Sequence, residues 1–211
     1  RTYIRGLYLL FIKAVKDILN CDVKIMYFIN KGVYCEILTN NVVSEVTIEK
    51  IKIRMKQLRD DKLSIKRLMV SRIDAMDYFN KVNQKDKADS LKYISNATIS
   101  LYRLDDVLDY FYGILPCNTS YIKYFNLKYI GNNKVILLPP ITYDMEEKLK
   151  FDNNEMLLSK LSEQSSYLEN INVNSSVELN KSISTGMYDD IIRISETIQN
   201  NQLLAIADKI T

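Results

Sequence analysis

The chain has 211 residues, 47% apolar and 26% charged, the balance of a globular domain large enough to bury a core. Its net charge of +3 is too even for the concentrated basic face of most nucleic-acid binders. Histidine is absent, which removes the commonest general base and metal ligand and excludes Ser/His/Asp and Cys/His catalysis.

Tyr3 to Leu19 reads as a largely buried helix, with Lys16 and Asp17 marking its exposed side. Its apolar run from Leu7 to Ile12 is far shorter than the roughly 18 residues of a membrane span. Asp22 to Ile29 and Val33 to Leu38 follow as a hairpin turning at Asn30-Lys31-Gly32. Thr47 is placed to cap a helix whose Ile48, Ile51, Met55 and Leu58 form one stripe. On that helix Lys50, Lys52, Arg54 and Lys56 split between two sides, as on a solvated face.

Ile65 to Val70 reads as a strand, and Ser71 with Asp74 starts a helix through Phe79. Gln84 to Tyr93 is a charged helix or loop. The period then changes: Ile99 and Leu101 alternate with Thr98, Ser100 and Tyr102. Val107 to Tyr112, Tyr121 to Ile130 and Lys134 to Leu138 continue as strands between turns at Gly113, Pro116 and Gly131-Asn132-Asn133. Connections this short predict an α+β fold with a mainly antiparallel sheet, packed helices and a helical C-terminal segment. Pro139-Pro140 is the expected boundary. Beyond it Asn170 to Ser176 reads as a loop, Met187, Ile191, Ile194 and Ile198 as a helical stripe, and Leu203 to Ile210 as a separate short helix.

No chemistry assembles from motifs. Glycine occurs only at 6, 32, 113, 131 and 186, so neither a P-loop nor a dinucleotide fingerprint fits. Cys21, Cys35 and Cys117 lack metal-ligand spacing and read as small buried apolar residues of a reduced, cytoplasmic protein. Asp105, Asp106 and Asp109 read as a solvated turn entering a strand, with metal binding or acid–base work as the alternative. Tyr110, Phe111 and Tyr112 read as core packing rather than base stacking.

Two blocks resemble the second additional domain of threonyl-tRNA synthetases. Leu9-Leu10-Phe11-Ile12-Lys13-Ala14-Val15-Lys16, followed by Lys31-Gly32-Val33-Tyr34-Cys35-Glu36, is similar to that domain's H-x-x-x-H helix and G-[FY]-Y-Y hairpin. Phe111 to Thr119 is similar to its C-x-G-P-H-x-P-N-T segment. In this alignment the helix histidines fall on Leu9 and Lys13, and the later cysteine and histidine on Phe111 and Leu115. The resemblance implies the scaffold over 1–138; the four replacements argue against zinc and against the family's editing hydrolysis. No catalytic residue and no metal site is expected.

KAVKDIL, NKGVYCEI, YRLDDVLDYFYG and VELNKSISTGMYDDIIRISETIQNNQLLAIADKI also resemble the N-terminal region of bacterial uridine kinase-like nucleoside kinases. That resemblance implies a non-catalytic accessory domain, with 139–211 a helical linker to a P-loop kinase domain in cis. Such a domain would lie past Ala207-Asp208-Lys209-Ile210, with ATP and Mg²⁺ its cofactors, and the start at Arg1 fits a fragment. The domain is then expected to position the kinase, assist homo-oligomerisation, or bind a ligand in a vestigial cleft around Lys13, Tyr34, Tyr112 and Asn118. The alternative is a tRNA- or RNA-binding module, suggested by the interleaving in Tyr121-Ile122-Lys123-Tyr124.

Overall fold

The computed structural model describes residues 1–29, 31–140 and 176–210, so the loop expected over Asn170–Ser176 falls largely outside the described residues. The described residues group into two units, 1–71 with 97–140, and 72–96 with 176–210. The fold is α+β, and every strand pairing is antiparallel.

The first unit is organised by helix α1 (Thr2–Leu19). Leu7, Leu10, Phe11, Ala14 and Val15 recur at helical spacing and join one apolar cluster. That cluster also takes Val33, Cys35 and Ile37 from β2 (Gly32–Leu38), and Ile48, Ile51, Met55 and Leu58 from α2 (Glu45–Asp60). β1 (Asp22–Ile29), β2, β6 (Asn126–Gly131) and β7 (Lys134–Leu138) form a sheet in the order β1-β2-β7-β6. A second sheet has the order β3-β4-β5, from β3 (Ile65–Ser71), β4 (Thr98–Leu104) and β5 (Val107–Tyr110). The expected antiparallel pairing is present but divided between two sheets, since β3, β4 and β5 pair only with one another and β2 is joined to β6 through β7.

Several boundaries move for local reasons. Ser44, not Thr47, caps α2: its Oγ accepts from the Thr47 backbone N–H at 3.3 Å, one of the amides a helix start leaves unpaired. The expected strand from Tyr121 begins only at Asn126. Before it, the short 3₁₀ turn Thr119–Tyr121 is capped by Asn118 Oδ1, which accepts from Ser120 N–H at 3.0 Å. β5 stops at Tyr110, and the chain turns at Gly113, whose φ of +113° disfavours other residues. The Asn132-Asn133 turn has φ of 48° and 61°, which suits asparagine and a tight hairpin. Asn133 also ties down the segment before α2, accepting from Val43 N–H at 2.9 Å and donating to Thr39 O at 3.0 Å.

In the second unit α3 (Arg72–Lys81) and α4 (Lys85–Lys92) pair through buried Ala75, Phe79, Ala88 and Leu91. Helices α5 (Ser176–Ser184) and α6 (Tyr188–Ile210) follow. The short helix expected over Leu203–Ile210 is the end of α6, since nothing between Ile198 and Leu203 breaks a helix. No helix among the described residues is long and apolar enough to cross a membrane.

Gly6 marks the tightest approach to α1. A Cβ there would stand 2.7 and 2.8 Å from Pro116 Cδ and Cγ, and 3.2 Å from Ile122 Cδ1. Alanine favours a helix over glycine by about 1 kcal/mol, whereas forcing a methyl against a rigid ring costs about 1–3 kcal/mol. Gly6→Ala should therefore lower stability in urea unfolding by up to about 2 kcal/mol; a raised midpoint would show that the contact yields freely.

Candidate functional site

Opposite the face of α1 that enters the main cluster lies a row spaced by four residues: Arg5, Leu9, Lys13 and Asp17. Leu9 is fully buried and meets Ile65, Tyr102, Leu104 and Leu115, with Leu63, Val107 and Phe111 packed around them. The Tyr102 and Phe111 rings meet edge to face at 6.4 Å, and Tyr102 Oη donates to Gly113 O at 2.8 Å. Three of the four ligand-type positions, Leu9, Phe111 and Leu115, thus come together, but as an apolar cluster.

The fourth, Lys13, is 3% exposed and lies one turn further along α1. Its Nζ meets Asp17 Oδ1 at 2.8 Å, Asp105 Oδ2 at 3.0 Å and Asp106 Oδ1. Asp105 and Asp106 form the β4–β5 turn, where Asp105 takes φ 55°, a conformation aspartate tolerates. The expected solvated turn is present, and its exposed carboxylates also reach the buried Lys13 ammonium. Asp17 is shared, its Oδ2 accepting from Arg54 Nε at 2.8 Å.

Burial pulls the Lys13 pKa down, but hydrogen bonds to Asp106, Asp17 and Asp105 outweigh it and the net shift is upward. The Lys13 hydrogen bond holds the Asp106 carboxyl below its usual range. Among the described residues no group of three or more His, Cys, Asp or Glu side chains could hold a metal ion. Around Lys13 the tethered ammonium is already the shared counter-ion of the three carboxylates.

The other proposed cleft residues have separate partners. Tyr34, on β2, stacks on Tyr27 with centroids 5.3 Å apart and lies under Lys134 Nζ, 5.9 Å from the ring. Burial pushes its phenol pKa up, and Lys134 offsets part of that. Asn118 is engaged in the 3₁₀ cap, and Tyr112 is 86% exposed. No hydrogen bond, ion pair or ring contact joins Lys13, Tyr34, Tyr112 and Asn118 to one another.

Tyr112 is not core, because the chain leaves the sheet after Tyr110 and turns it outward. Cys35 is buried, its thiol pushed up to about 12, whereas Cys117 is exposed on the loop rather than packed inside. Arg54, expected on a solvated face, instead pairs with Asp17, and Tyr102, expected opposite the buried residues of its strand, is buried and donates to Gly113 O. The Lys13–Asp17 spacing of four was the available signal.

No family model matches the chain. It is similar to a part of threonine–tRNA ligases: 32% identical over 116 residues to those of Paraburkholderia phytofirmans and Paraburkholderia xenovorans. To the Oceanobacillus iheyensis threonine–tRNA ligase it is 31% identical over 118 residues. Each match covers 54% of this chain and spans about 18% of the length of the relative. These likenesses bear on the synthetase resemblance and add nothing to the nucleoside-kinase one.

The ion cluster makes unequal demands on its members. Asp17→Ala would leave both Lys13 and Arg54 short of a partner and should cost about 2–3 kcal/mol. Lys13→Met removes the buried charge itself, and the exposed Asp105 and Asp106 can rehydrate, so it should cost about 1 kcal/mol or less. Equal losses in urea unfolding would contradict this ordering.

Two shifts set the pH window. A depressed Asp106 stabilises the fold above its unfolded pKa, near 4, and that contribution is lost as pH falls through the lower folded value. A raised Lys13 contributes fully below its unfolded pKa, near 10.4, and its share is lost as pH rises through the higher folded value. Lys13→Met should flatten both limbs of a thermal-melting profile against pH; unchanged limbs would place the dependence elsewhere.

Proposed function

We propose that this chain is a non-hydrolytic tRNA- or RNA-binding module built on a threonyl-tRNA synthetase-like scaffold. The observation that carries this reading is the filling of the ligand-type positions: Leu9, Phe111 and Leu115 pack together, and Lys13 is neutralised by carboxylates. Such a site offers no open metal position, no histidine base and no activated nucleophile for ester hydrolysis. The similar relatives are named as ligases joining threonine to tRNA, which supports tRNA as the class of partner. The kinase reading, with ATP, Mg²⁺ and a kinase domain in cis, rests on block resemblance alone and takes second place.

Net charge understates the electrostatics. Residues 1–16 and 110–140 contain no Asp or Glu, while carrying Arg1, Arg5, Lys16, Lys123, Lys128 and Lys134 besides the buried, ion-paired Lys13. A phosphate-bearing partner suits such a distribution, and its binding should weaken steeply with salt through counterion release. The chain is expected to shift tRNA in a gel at about 50 mM salt and to bind roughly tenfold or more weakly at about 200 mM. It should release no amino acid from aminoacyl-tRNA above a blank. No shift at low salt removes the binding reading; ester hydrolysis above the blank removes the non-hydrolytic one.

A further inference from the structure

The segment after β5 folds back against the first two turns of α1 and leaves its large side chains outside. Arg5 Nη1 donates to Ile114 O at 3.5 Å, and the guanidinium lies 2.5–2.7 Å from where a Cβ on Gly113 would stand. Gly6 is against Pro116 and Ile122 at once. Tyr3 Oη donates to Tyr124 O at 2.6 Å and accepts from Tyr124 N–H at 2.7 Å. Residues 112–116 and 121–124 are therefore held side by side across the start of α1.

What they present is not core. Tyr112 is 86% exposed, Ile114 63% and Tyr121 57%, whereas Leu115, Ile122 and Phe125 between them are buried. The alternation is sorted: small and apolar contacts hold the loop down, and the tyrosines are left in water. The cations beside them are Arg5, the exposed Lys123, and Arg59, whose Nη1 donates to Lys123 O at 3.0 Å. The adjacent carboxylate, Asp60, is already held by Arg59 through Nε at 2.8 Å and Nη2 at 3.1 Å. A ligand with flat faces and repeated negative charge suits these side chains, and that is the chemistry of nucleotides. Bases already stacked in a duplex have no free face for a tyrosine, so the fit is to unpaired nucleotides.

We propose that Arg5, Tyr112, Tyr121 and Lys123 form the nucleic-acid contact of this chain, stacking unpaired bases on the two tyrosines and pairing phosphates with the two cations. This rests on the RNA-binding reading and moves the contact from the filled cleft to its rim. The test is fluorescence anisotropy with a labelled, unpaired RNA of about 12 nucleotides, the same RNA in a duplex, and whole tRNA. The proteins are the chain, Tyr112→Ala, Tyr121→Ala and the control Tyr93→Ala, a 40% exposed tyrosine in the other unit. Thermal melting verifies that each variant is folded, as substitutions of exposed side chains should be.

Each rim variant should bind unpaired RNA roughly tenfold more weakly, the control should match the parent chain, and the duplex should bind less well than the single strand. If RNA binds but both rim variants stay within about twofold of the parent, or duplex and single strand bind alike, the rim assignment is wrong while the RNA-binding reading stands. If no RNA binds at low salt, both fall.

Discussion

Burial of α1 on two opposite faces is the constraint on which the rest of the first unit depends. Leu7, Leu10, Phe11, Ala14 and Val15 enter the cluster shared with α2 and the four-stranded sheet, while Leu9 enters a separate one with β3, β4 and Leu115. Burying a leucine or phenylalanine contributes roughly 1.5–3 kcal/mol, against roughly 0–1 for an exposed ion pair. Apolar packing therefore decides where the helix lies. The polar members of the second face decide what else must come to it: Gly6 admits Pro116, Arg5 meets the Ile114 carbonyl, and Lys13 requires carboxylates.

A buried lysine is tolerated only if the energy lost with its water is returned by close partners. Here the return comes from two chain regions, Asp17 on α1 itself and the β4–β5 turn. The turn is thereby tied to the helix, and Leu104 and Val107, which flank it, are drawn into the cluster around Leu9. Ionic and apolar contacts on this face support one arrangement, which is the mutual consistency expected of a specified fold.

The apolar packing around Leu9 does not leave the region featureless. Holding residues 112–124 by Pro116, Leu115, Ile122 and the Tyr124 backbone leaves the intervening tyrosines nowhere to pack. Residues 1–16 and 112–124 contain no acidic residue, and the adjacent Asp60 is paired with Arg59, so this surface is more positive than the nearly balanced chain. The rim is thus a product of the contacts that fill the interior.

Much of the local structure was legible from the residues alone. Helical spacing located α1 and the α2 stripe, alternation located β4, and Asn132-Asn133 located the last hairpin, because each depends on neighbours within a few positions. The lack of histidine and of glycine-rich phosphate-binding motifs was legible in the same way. The Tyr121 segment misled because alternating burial, with Ile122 and Phe125 inside and Tyr121 and Lys123 outside, arises here from a loop pinned to α1 rather than from a strand. The two-sheet arrangement, the closure of Asp105 and Asp106 over Lys13, and the meeting of Leu9 with Leu115 join residues about a hundred positions apart. Local pattern determined the elements; only tertiary packing decided which face of α1 each distant segment would cover, because contacts between distant segments form only once both are placed.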